Sequence, residues 1–179
     1  MKTLLAVLVL ASGGAMAQVK ISNKAFKTET KDYDKGTYAA IEFPVDQFKP
    51  ALKKAEELAG SSLRTRGEAH LTVLTPPEYM KLDGKVRKIL LEDMKNVMQN
   101  GAELKPVCIG KGEAEVQGKK ETTYFVVMDA APLRKVREKY HLQEFYPHVT
   151  LGFTKRDLHF EDGVKKDKSS CVADLKLSN

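Results

Sequence analysis

Apolar positions along this 179-residue chain recur with two periods, about 2 and about 3.6 residues, and the switches between them mark out the elements. Thr37 to Val45 alternates as a strand. Asp46 can then cap a helix whose Phe48, Leu52, Ala55, Leu58 and Ala59 share one stripe; Pro50 fits only near its first turn, and Gly60 can end it. A basic loop, Ser61 to Gly67, leads into a second strand that Pro76-Pro77 stops. Lys85 to Gln99 is the clearest helical pattern, with Val86, Ile89, Leu90, Val97 and Met98 on its expected core face and Asn100-Gly101 as a left-handed cap. Leu104 to Val116 and Thr122 to Asp129 read as a hairpin turned at Gln117-Gly118-Lys119-Lys120. Pro132 opens a helix through about Tyr140, with Leu133, Val136 and Tyr140 spaced for burial. Beyond one more strand, Lys155 to Ser170 is charged and reads as a loop, and Cys171 to Leu177 alternates as a closing strand. Residues 18–35 are polar without a sustained period and read as an arm, so the pattern gives an α+β domain over 36–179.

Two of these strands carry the same tetrapeptide pattern, His70-Leu71-Thr72-Val73 and His148-Val149-Thr150-Leu151. Residues i and i+2 of a strand face one side, so each copy buries an aliphatic pair and presents an imidazole and a hydroxyl together. Tyr146 shares the parity of His148 and Thr150, and its ring is a candidate for stacking on a base; Gly152, next on that face, leaves room for a ligand. Glu68 has the parity of His70 and can orient its ring, although an exposed strand-end carboxylate is the plainer account. Phe153 has the parity of Val149 and Leu151 and is expected in the core.

Two His-x-Thr-x strands 78 positions apart, the first preceded by a strand and a helix, resemble the 2H phosphoesterase superfamily, which includes the RNA ligase-like cyclic phosphodiesterases. The resemblance rests on Gly67-Glu68-Ala69-His70-Leu71-Thr72-Val73 and Tyr146-Pro147-His148-Val149-Thr150-Leu151-Gly152. The run Glu68 to Glu78 is also similar to the Swiss army knife RNA-repair branch. The resemblance implies a two-lobed, pseudo-symmetric fold of antiparallel sheets with helices outside, the motif strands meeting across a central cleft. It implies a phosphodiesterase acting on a cyclic (2′,3′-type) or 2′-linked phosphodiester of a nucleotide or RNA end, with His70, Thr72, His148 and Thr150 as the catalytic set.

The chemistry of those residues is coherent on its own. A phosphodiester displacement needs one group to take a proton from the attacking oxygen and another to give one to the departing oxygen. An unperturbed imidazole pKa near 6.5 makes both forms available around neutrality. Which histidine is base and which acid stays open at this point. The threonine hydroxyls can donate to nonbridging phosphate oxygens. The scheme calls for no metal and no cofactor, and no His-x-x-x-His or Cys-x-x-Cys pair suggests a zinc site.

Composition narrows the setting. Met1-Lys2-Thr3, the apolar run Leu4 to Ala11 and the small residues ending Ala15-Met16-Ala17 have the layout of a secretory leader, too short for the roughly 20 apolar residues of a spanning helix. Cleavage after Ala17 leaves 162 residues, one domain's worth, and lowers the formal charge from +6 to +5, an excess that favours an anionic ligand. Export to the periplasm or beyond, as a monomer without membrane insertion, is expected. In such a compartment Cys108 and Cys171 can pair, which sequence alone does not decide. Arg64, Arg66, Lys165, Lys166 and Lys168 read first as solvated loop charges, and His141 and His159 as surface residues. The competing functional class is a secreted protein that retains phosphate or RNA in the same cleft without turnover.

Overall fold

Period-2 patterning delivers two antiparallel sheets whose inner edges are the two motif strands. The computed structural model describes residues 36–175, together with the backbone of residues 25–32; the leader reading therefore lies outside the described residues. The first sheet has the order β1-β2-β3, from Ala25–Asp32, Gly36–Phe43 and Ala69–Leu74. The second has the order β6-β5-β4-β7, from His148–Phe153, Lys119–Asp129, Lys105–Val116 and Cys171–Ala173. Four α-helices lie among the described residues: α1 (Lys49–Ala59), α2 (Pro76–Lys81), α3 (Gly84–Gln99) and α4 (Ala131–Lys139). β3 lies against β6, and one core cluster, including Ile41, Leu71, Val73, Met94, Val126, Leu133 and Val149, spans both lobes. Full burial of each such aliphatic side chain is worth about 1.5–3 kcal/mol.

Several expectations are corrected. The segment read as a polar arm contains β1, which pairs with β2 from Ala25↔Glu42 to Asp32↔Gly36; an edge strand is held through its backbone and needs no apolar period. Pro76-Pro77 ends β3 and also opens α2, where prolines suit the first turn. Glu78 accepts from the Thr75 backbone N–H and from its hydroxyl, each at 2.9 Å, so Thr75-x-x-Glu78 caps that helix. In α3 the buried residues are Leu90, Leu91, Met94 and Met98, while Val86 and Ile89 are exposed. At 3.6 residues per turn those two lie about 80° and 140° from Met94, off the stripe that the fold buries. The hairpin turn narrows to Gln117-Gly118, both at positive φ, with Val116 paired to Lys119.

Both motif strands carry a bulge just after the threonine. Ala40 pairs with Thr72 but Ala39 with Leu74, leaving Val73 extra; Phe125 pairs with Thr150 but Tyr124 with Gly152, leaving Leu151 extra. An extra residue inverts the facing of everything beyond it. Gly152 consequently turns away from the cleft: a Cβ there would come within 2.8 Å of Leu63 Cβ and 2.9 Å of the Arg64 carbonyl. Its smallness admits the 61–67 loop, not a ligand. That loop docks through paired backbone bonds between Arg64 and Phe153, at 2.9 and 3.0 Å, and Phe153 stays half-buried, outside the main core.

The 155–170 segment is a loop, as expected, but a packed one. Leu158 and Val164 form a second small core with Cys108, Phe125 and Val127, on the face of β5 that also backs His148 and Thr150. Cys108 and Cys171 are disulfide-bonded, with Cα atoms 5.8 Å apart, fastening β7 and the end of this loop to β4. Replacing both by serine is expected to cost about 2–4 kcal/mol. Thermal unfolding with and without reductant measures it, and an unchanged Tm would rule the tether out as a stabiliser.

Candidate active site

A cleft of about 980 Å³ runs between the lobes, at the upper end of volumes for small-molecule sites. His70, Thr72, Tyr146, His148 and Thr150 all line it, so the structure gathers every site residue expected from sequence. It adds Tyr38, Arg66, Asp157, His159, Phe160 and Lys166, none of which the strand pattern singled out as functional.

His148 is half-buried on β6, edge-on to Phe125 at 5.9 Å. Its Nδ1 is 2.7 Å from the Tyr146 carbonyl. A carbonyl only accepts, so Nδ1 carries the proton and Nε2 the lone pair. Burial, followed by the charge of Lys166, pushes the imidazole pKa down to about 3, leaving it neutral near pH 7.

His70 sits on β3, its ring 5.5 Å from that of Tyr38. Its Nδ1 lies 3.3 Å from Oε1 of Glu68, an exposed carboxylate within reach of the ring. Burial lowers this pKa as well, but Glu68 works against burial. The two imidazoles differ in kind: burial and the Lys166 cation keep His148 neutral, whereas at His70, whose pKa is also lowered by burial, the neighbouring Glu68 carboxylate works toward the protonated form.

Thr150 departs from expectation. Its hydroxyl donates to Asp157 Oδ2 at 2.9 Å, so its one proton goes to a carboxylate and is not presented to a phosphate. Thr72 forms no such bond among the described residues. Asp157 is the hub of the second lobe: Oδ1 accepts from Thr123 at 2.7 Å and from Lys166 at 2.8 Å, while Arg66 and His159 each lie 3.8 Å from Oδ2. Burial alone would raise its pKa, but Lys166 and the surrounding donors hold it well below the ordinary carboxylate range. Lys166 is only 2% exposed, so it is no solvated loop lysine; His159 is half-buried in the cleft, and Arg66, though exposed, also lines it. The apolar anchors Leu158 and Val164, spaced among charges, were the signal in sequence that this loop folds back.

Tyr146 precedes β6 and does not extend it. Its ring stacks on Phe160, centroids 6.0 Å apart and 17° from parallel, and its hydroxyl donates to Glu144, which raises the phenol pKa to about 12. At the far end of the cleft Arg137 is spent on structure: it donates to the Val73 and Gln143 carbonyls, both at 2.9 Å, and pairs with Glu78 at 2.6 Å.

Two antiparallel sheets with outer helices, meeting at a cleft, make the two-lobed α+β fold of a 2H phosphoesterase. The family model described as Swiss Army Knife, 2H phosphoesterase domain matches residues 37–159, and the chain belongs to that family. Comparison with curated proteins gives no match, and neither does comparison with solved structures. Membership makes the domain enzymatic, with a phosphodiesterase-type function.

Proposed function

We propose that the chain is an exported phosphodiesterase that hydrolyses a 2′,3′-cyclic phosphate, or a related 2′-linked diester, of a nucleotide or RNA end, with His148 as base and His70 as acid. The observation that carries this reading is the unlike electrostatic setting of two histidines lining one cavity. Neutral His148 takes a proton from water at Nε2 as the water oxygen attacks phosphorus. The P–O bond to the ribose breaks, and that oxygen receives the proton of the His70 imidazolium. Glu68 and the anionic substrate both favour that imidazolium. One water is consumed, and a phosphate monoester is released. Positioned acid or base catalysis contributes about 10²- to 10⁴-fold for each participant.

Thr72 meets a nonbridging oxygen, and the Tyr146–Phe160 stack at the cleft offers a planar base a surface worth about 1–3 kcal/mol. The disulfide and the leader-like first 17 residues support export. Among the described residues no helix is long and apolar enough to cross a membrane.

Incubating the protein with adenosine 2′,3′-cyclic monophosphate in EDTA and following products by phosphorus NMR tests the function. A monoester is expected; saturable binding without product would instead identify the non-catalytic phosphate- or RNA-binding protein. Imidazole NMR titration tests the roles. His148 is expected to stay neutral until near pH 3 and His70 to protonate at higher pH; the reverse order would exchange acid and base.

A further inference from the structure

We propose that Lys166 is the phosphate-binding cation of the second lobe, and that Asp157 and Thr150 are positioning residues that hold it in the cleft wall. The proposal rests on the phosphoesterase reading and deepens it by naming what meets the phosphate opposite Thr72.

A hydroxyl has one proton, and the structure gives that of Thr150 to Asp157. An ionised carboxylate only accepts, so the bonds from Thr123, Thr150 and Lys166 all run toward Asp157. The second lobe must therefore supply its phosphate donor from another side chain. Lys166 is placed for this: it is anchored 2.8 Å from Asp157, lies 5.3 Å over the Phe125 ring, and lines the same cavity as His148. Phe125 is the cross-strand partner of Thr150, so cation, threonine and histidine occupy one patch of wall.

Charge points the same way. A lone buried carboxylate would repel a phosphate, but Lys166 and Arg66 together outweigh Asp157 and leave the cluster cationic. A buried ion pair contributes little net stability over apolar residues of similar volume, so its presence in a cavity wall calls for a use there.

The test combines calorimetric titration of inorganic phosphate with kcat/KM for adenosine 2′,3′-cyclic monophosphate between about pH 3 and 9, which takes in the depressed pKa of His148 as well as the ordinary imidazole range. Lys166→Met is expected to weaken phosphate roughly 10- to 100-fold, the loss of one charge-assisted hydrogen bond, and Lys166→Arg to retain most of it. His148 faces Lys166, Asp157 and His159 from the loop, Phe125 from β5 and the Tyr146 carbonyl. Removing the lysine's positive charge favours the imidazolium, so the acid limb of the kcat/KM profile should move to higher pH in Lys166→Met and stay in place in Lys166→Arg. Should Lys166→Met fail to fold, the charge-free pair Asp157→Asn with Lys166→Met carries the same expected loss of phosphate. Wild-type phosphate affinity in either charge-removing variant, or an unmoved acid limb, overturns the proposal. Wild-type protein that binds phosphate without turnover sinks only the catalytic reading, and Lys166 is then judged by affinity. Wild-type protein that binds no phosphate sinks both.

Discussion

Replacing His148 by alanine is expected to lower kcat on a 2′,3′-cyclic mononucleotide by about 10²- to 10⁴-fold, with the circular dichroism spectrum retained. The loss falls on kcat because Nε2 of a neutral, Nδ1-protonated ring is the proton acceptor. Asp157 cannot take over: its two carboxylate oxygens already accept from Thr123, Thr150 and Lys166. His70→Ala should cost a similar factor through the departing oxygen. The double variant should be little worse than either single one, since acid and base act on one displacement and their contributions do not add. Near-wild-type turnover in both single variants would remove these histidines from the chemistry.

The other large effect concerns stability. Asp157→Ala leaves the Lys166 ammonium buried without its carboxylate and removes the acceptor of two threonine hydroxyls. Breaking a buried pair this way costs about 3–5 kcal/mol, and at this chain length that lowers Tm by roughly 6–20 °C. Removing both charges, as in Asp157→Asn with Lys166→Met, should be milder than Asp157→Ala alone, because no uncompensated ion remains. The folded pKa of Asp157 lies below its unfolded value near 3.9. Its stabilisation is therefore present above about pH 4 and is lost as pH falls toward the folded pKa. Acid unfolding of the wild type compared with Asp157→Asn reads this out: the mutant should lose less stability below pH ~4, and parallel curves would contradict the role of Asp157.

The two strand motifs were legible because a period of two is a local property, and one buried face fixes which residues share the other. Their bulges were not. Val73 and Leu151 are extra only relative to partners elsewhere in the chain, and the inverted facing of Gly152 and Phe153 follows from pairing that no window of sequence contains. β1 has no local signature for a similar reason, since its place depends on β2 offering an edge. α2 does have a local signature, Thr75-x-x-Glu78 around two prolines that serve as a helix start as well as a strand stop. The charged loop hid the greatest share of the site. Its surplus of lysine and aspartate reads as solvation, and only Leu158, Val164 and the closing Cys171 hint that Asp157 and Lys166 are carried inward.

The central claim is that His70 and His148 bracket one phosphorus atom. Determining the structure of the protein with a nucleoside 2′-monophosphate bound tests it most directly. The expected result places Nε2 of both imidazoles within about 2.6–3.2 Å of oxygens on opposite sides of the same phosphorus. A phosphate contacted by one imidazole alone, or seated at the Arg137 end of the cleft, would contradict it.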